Sequence, residues 1–133
     1  MRADTRAISI DADPAKVHDF LADPRNLPRW AVGFARSVRP DGDSWLVETS
    51  AGPMPVRIVA EPRTGTVDFV MTPAPGTEAR AASRVIGRPG GAEYVFTQFQ
   101  GPGMTDDLFT ANVRAIEHEL IVLKALMEVE CPL

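Results

Sequence analysis

The chain of 133 residues has one cysteine and two histidines, and each scarcity closes off a class of function. Cys131 has no partner for an internal disulfide, which agrees with a reducing compartment. His18 and His118 lie in separate segments with no second ligand at metal spacing, so no metal site is expected. Positive charge is also short: 14 basic residues against 18 acidic ones give a net charge of −4. That leaves no basic field to attract a phosphate backbone or anionic lipid, and nucleic acid is not an expected partner. No apolar run approaches the roughly 18 residues of a membrane span, and the opening Met1 to Arg6 lacks the apolar stretch of a signal peptide. A soluble, cytoplasmic protein without membrane insertion is the expectation. There is no Ser/His/Asp set and no glycine-rich phosphate loop, and no cofactor is implied.

What is present divides along leucine usage. No leucine falls between Leu46 and Leu108, a stretch rich in valine that also holds Phe69, Tyr94, Phe96 and Phe99. β-Branched and aromatic side chains suit a pleated surface, so this is strand material. Pro/Gly punctuation at Pro40 to Gly42, Gly52-Pro53, Pro62 to Gly65, Pro73 to Gly76 and Pro89 to Gly91 cuts it about every ten residues. Strands are read near 33–40, 44–50, 54–61, 66–72, 78–88 and 92–100, with an earlier one at 4–10. After that first strand, Asp13-Pro14 caps a short helix whose Val17, Phe20 and Leu21 form a buried stripe, and Asp23-Pro24 stops it. Asn26 to Trp30 forms a second short helix or turn.

The last segment, Thr105 to about Glu128, has neither Gly nor Pro. Phe109, Val113, Ile116, Leu120, Leu123 and Met127 recur every three or four residues along it, as one face of a long helix requires. Leu108, Ala115, Val122 and Leu126 widen that buried arc. One domain over residues 1–133 is expected, α+β in class: a seven-stranded antiparallel curved sheet wrapped around a long C-terminal helix, with two short helices after the first strand. A sheet bent around a helix leaves a hollow wherever its curvature exceeds what side chains fill.

Two polar residues, Asn112 and Glu119, lie two turns apart on the buried arc of the final helix. Unbonded polar groups there cost about 1–3 kcal/mol for an amide and more for a carboxylate, so both need partners. Either they line a cavity and bond a ligand or its water, with Glu119 raised in pKa, or they are structural, Asn112 bonded to strand backbone and Glu119 to an arginine. Strand alternation makes Val67, Phe69 and Met71, then Ala79, Ala81, Ser83 and Val85, then Tyr94, Phe96 and Gln98 the inner residues, with Trp45 in phase. Asp68, Arg80, Arg84 and Glu93 face outward. Trp30 and Phe34 stand where the short-helix corner meets the sheet, as ligand contacts or core plugs. His18 is placed on the surface. The candidate ligand-binding set is therefore Trp30, Phe34, Trp45, Met71, Ser83, Tyr94, Phe96, Gln98, Leu108, Asn112 and Glu119, with no catalytic residue assigned.

The segment from Ala7 to Trp30 is similar to the N-terminal signature of the SRPBCC superfamily, the START-related helix-grip proteins that include polyketide cyclase/dehydrase-like members. Ala12, Pro14, Val17, Phe20, Leu21, Asp23, Pro24, Asn26, Leu27, Pro28 and Trp30 all match that pattern. Gly90-Gly91 ahead of Tyr94-Val95-Phe96, and the helix end Leu120 to Leu126, resemble it as well. The resemblance implies a sheet gripping the C-terminal helix around an apolar cavity. It does not fix an activity, because members bind lipids, hormones or pigments, cyclise or dehydrate polyketides, hydrolyse small molecules or assist chaperones. Three functions stay open: binding of a small hydrophobic or aromatic ligand, a cyclase/dehydratase-like enzyme with Glu119 as general acid/base, or a protein-interaction domain. A free sheet edge could also pair two chains into a homodimer.

Overall fold

The computed structural model describes residues 2–133. Strand β1 (Ala3–Ile10) is followed by helix α1 (Pro14–Ala22), a 3₁₀ turn (Pro24–Asn26) and the single-turn helix α2 (Leu27–Trp30). Six strands then run in sequence: β2 (Ser37–Asp41), β3 (Ser44–Thr49), β4 (Gly52–Glu61), β5 (Thr66–Ala74), β6 (Thr77–Arg88) and β7 (Gly91–Phe99). The 25-residue helix α3 (Asp106–Glu130) closes the fold. The sheet order is β1-β7-β6-β5-β4-β3-β2, and every neighbouring pair is antiparallel. The expected seven-stranded helix-grip arrangement is present.

Local chemistry sets the boundaries. Asp13 Oδ1 accepts the Ala15 N–H at 2.9 Å, and Pro14 occupies the first helical position, where its missing N–H is harmless. Asn26 Nδ2 donates to the Phe20 carbonyl at 2.9 Å, which ties the end of α1 to the turn that leads into α2. Thr105 Oγ1 accepts from the Leu108 N–H at 3.1 Å, and Asp106 and Asp107 lie in the positive first turn of α3. Gly65 is required as glycine: its φ is +81°, and a Cβ there would collide with the Val85 carbonyl oxygen.

Alternation divides the sheet as expected. Val47, Val56, Val67, Phe69, Ala81, Ser83, Val85, Tyr94 and Phe96 are buried on the side covered by the helices, while Arg80 and Arg84 are exposed to water. Asp68 and Glu93 on the outer face are half-buried and paired, Asp68 with Arg80 at 2.7 Å. From α3 the core receives Phe109, Ile116, Leu120, Leu123 and Met127.

Three expectations are corrected. Strand β2 begins at Ser37 rather than 33, because residues 31–36 form a turn in which the Phe34 and Ala35 amides donate to the Ala31 carbonyl. Leu108, placed on the buried arc, is 51% exposed: it lies in the first turn of α3, where Phe109 rather than its neighbour meets the core. His18, placed on the surface, is only 5% exposed. Helix α1 is covered on more than one side, so Val17 and Leu21 do not exhaust its buried arc, and His18 Nε2 bonds the Thr66 carbonyl at 3.1 Å.

Candidate functional site

The concave side of the sheet carries a connected aromatic group. Trp30 from α2 lies with its ring centre 6.1 Å from Phe69 and 6.4 Å from Tyr94, the latter nearly edge-on at 85°. Phe96 stands 6.3 Å from Phe69 and 6.4 Å from Tyr94. Such separations and tilts suit the positive edge of one ring against the negative face of another. Around these rings the apolar side chains of Phe34, Met54, Ile58 and Met71 are only partly buried. Trp45 is half-buried on β3.

Polar groups interrupt this surface at four places. Tyr94 is fully buried, and its hydroxyl donates to Ser83 Oγ at 2.9 Å, while Ser83 in turn donates to the Val67 carbonyl. Burial pushes the Tyr94 hydroxyl well above its ordinary pKa, so it stays a neutral donor. Trp30 is 2% exposed, and its Nε1–H has no partner among the described residues. Buried donors are rarely left this way. Gln98 and Asn112 sit together at half depth: Gln98 Nε2 donates to the Asn112 backbone carbonyl at 3.4 Å, and Asn112 Nδ2 lies 3.9 Å from Met104 Sδ.

Glu119 is the fourth. It is 5% exposed, and Oε2 accepts the Gly33 N–H at 2.9 Å. No arginine or lysine pairs with it among the described residues. Burial raises its carboxyl from 4.5 to about 7, against the opposing pull of the Gly33 and Phe34 amides. At neutral pH the group divides between acid and carboxylate, so it can donate or accept.

Of the candidate residues, the structure gathers Trp30, Tyr94, Phe96 and Ser83 in the core, with Glu119 buried on α3. Phe34, Met71, Gln98 and Asn112 are partly covered. Leu108 lies outside this group. The backbone amide of Gly33 was not among the candidates, and no side-chain pattern could have signalled it. Two concavities open elsewhere. One of about 330 Å³ runs along the seam of β1 and α3, beside Arg6, Ile8, Glu117 and Ile121. The other, of about 430 Å³, is bounded by α1, the β4–β5 turn and the end of β6. Among the described residues no cluster of His, Cys, Asp and Glu is arranged to hold a metal ion, and no helix is long and apolar enough to cross a membrane.

The fold recurs widely. XoxI from Bacillus cereus superposes with a TM-score of 0.74 at 15% identity, covering 96% of each chain. The Aha1 dimer from Colwellia psychrerythraea gives 0.73 at 18% identity, over 97% of this chain and 98% of that one. DynU16, a protein of the dynemicin biosynthetic locus, gives 0.71 at 18% identity, over 98% of this chain and 48% of its own. At these identities the likeness is one of fold. A search of curated proteins found no significant match. Residues 1–128 match the family described as polyketide cyclase / dehydrase and lipid transport, and with nearly the whole chain matched, the protein belongs to that family.

Proposed function

We propose that the chain binds one small hydrophobic or aromatic molecule on the concave face between the sheet and α3. In this reading the ligand rests against the partly covered side chains of Phe34, Met54 and Met71, and its polar end is oriented by Glu119, Asn112 and Gln98. One observation carries the reading: Glu119 is a buried carboxyl on the inner side of α3, held by a backbone amide and, among the described residues, by no cation. A buried acid without a counter-charge lowers stability, and such groups concentrate at sites that use them. An apolar surface with a few convergent polar groups is the usual form of a small-molecule site. The unpartnered Trp30 N–H adds a donor beside the same aromatic group.

The near-neutral pKa of Glu119 also favours a second reading, acid–base work on a bound polyketide-like substrate, since a catalytic acid or base functions best near the working pH. Titration with an environment-sensitive dye and a panel of fatty acids and aromatic phenols tests the binding. Saturation near one per chain, weakened in Glu119→Gln, is expected. Absence of saturable binding across the panel overturns the proposal. Turnover of a bound carbonyl compound, lost in Glu119→Gln with binding retained, would establish the enzymatic reading.

A further inference from the structure

The concavity of about 430 Å³ beside α1 contains no residue of α3 and stands apart from the ligand site proposed above. Its walls are fixed by main-chain bonds. The Gly65 N–H donates to the Glu61 carbonyl at 2.9 Å and the Val85 N–H to the Gly65 carbonyl at 2.8 Å, which folds the β4–β5 turn back onto β6. Arg84 Nε donates to the Thr64 carbonyl at 2.8 Å, so one edge of its guanidinium is anchored while the terminal nitrogens stay uncommitted. Among the described residues no carboxylate pairs with Arg84 or with Arg63, the second guanidinium of the lining. Asp19 is the only acid among the lining residues, while the carboxylates of Glu61 and Asp13, at its margin, are taken up by the Arg63 and Ala15 backbone N–H groups at 2.9 Å each.

His18 adds a defined acceptor. Its Nε2 lies 3.1 Å from the Thr66 carbonyl oxygen, which can only accept, so Nε2 carries the proton. With that proton on Nε2, Nδ1 is the ring atom left to accept, and no partner for it is found among the described residues.

The geometry points to this concavity as a binding site for the phosphate group of a small ligand, with Arg63 and Arg84 taking the anionic oxygens and His18 Nδ1 accepting the P–OH. Guanidinium forks match phosphate oxygens bidentately. A phosphate ester has a second pKa near 6, so its singly protonated form persists near neutral pH and supplies the proton that Nδ1 needs. A carboxylate has no such proton, and it meets the repulsion of Asp19 without that compensation.

Titration of the ¹⁵N-labelled protein with inorganic phosphate at pH 6.5 and constant ionic strength tests this. Saturable shifts confined to residues 14–19, 62–66 and 84–87, together with the His18 ring, are expected. Arg63→Gln and Arg84→Gln should each weaken binding about tenfold or more, the loss typical of one charge-assisted hydrogen bond. Both side chains are exposed, and a dispersed spectrum checks that each variant is folded. Arg114→Gln, on the exposed face of α3, should leave the titration unchanged. Shifts that grow linearly over the whole surface, arginine variants that bind like the parent, or acetate saturating the same residues as tightly as phosphate would each overturn the assignment.

Discussion

Glu119 on α3 accepts the backbone N–H of Gly33 at 2.9 Å, joining the final helix to the turn after α2 across 86 positions of sequence. The contact is close from both sides, since a Cβ on residue 33 would stand 3.2 Å from Glu119 Oε2 and 3.5 Å from Ala115 Cβ. Among the described residues, an acid is thus held in a buried place by neutral backbone donors. That arrangement leaves its proton in balance near pH 7 and makes several properties of the protein depend on it.

Stability should fall as pH rises from about 4.5 to 7. In that window the unfolded chain has already released the Glu119 proton while the folded protein retains it, so folding takes up a proton and is weakened as protons grow scarce. The rise of the pKa from 4.5 to about 7 corresponds to roughly 3 kcal/mol across the window. Glu119→Gln has no such proton and should lose this component of the slope, becoming the more stable protein above pH 7. Urea midpoints measured at half-unit steps of pH check both statements. A parent and variant with parallel profiles would contradict them.

Gly33→Ala should push the Glu119 carboxyl higher still. The added methyl lies within the tight range of Oε2, so the carboxyl must withdraw and its bond to the amide lengthens. Hydrogen bonding to the ionised form is what holds the pKa down against burial, and weakening it favours the protonated acid. Carboxyl ¹³C chemical shifts followed through pH give the midpoint directly, and it should rise while overall stability drops by about 1 kcal/mol.

Tyr94 is the only tyrosine, so alkaline titration reads it alone. Because burial holds its hydroxyl above the ordinary value of 10, tyrosinate absorbance should not develop through the usual range and should appear only together with loss of near-ultraviolet circular dichroism. Tyr94→Phe removes the donor to Ser83 but leaves Ser83 bonded to the Val67 carbonyl. The expected loss is therefore about 1 kcal/mol, one hydrogen bond without a stranded partner. Chemical denaturation of the variant measures it.

Legibility in the sequence followed periodicity. The stripe from Phe109 to Met127 repeats often enough that its phase is fixed, and Ile116, Leu120 and Leu123 are buried as that phase requires. Strand alternation likewise placed Tyr94 and Phe96 inside and Arg80 and Arg84 outside. Where an element is short or ends, the phase carries less. Helix α1 has nine residues and buries His18 beside Val17, because the β4–β5 turn covers a flank that the Val17 and Leu21 spacing does not reveal. Leu108 has the right angle on the wheel but stands in the first turn, at the margin of the core. Glu119 was visible as a polar residue on an apolar arc, whereas its partner was hidden, because a backbone amide belongs to every residue and only the turn at 31–36 brings this one within reach.

Asn112 separates binding from folding. Among the described residues its side-chain amide has only the long contact to Met104 Sδ at 3.9 Å, and the bond from Gln98 goes to its backbone carbonyl, which any residue at 112 retains. Asn112→Leu therefore removes little that holds the fold, and a stability change within about 1 kcal/mol is expected. A ligand on the concave face loses a polar partner in the same substitution. The ratio of affinities for a hydroxylated and a fully apolar ligand of equal size should then move about tenfold toward the apolar one. Paired dye-displacement and urea experiments on one preparation give both quantities. A large stability loss with an unchanged affinity ratio would assign Asn112 to the scaffold and leave Glu119 and Gln98 as the orienting groups.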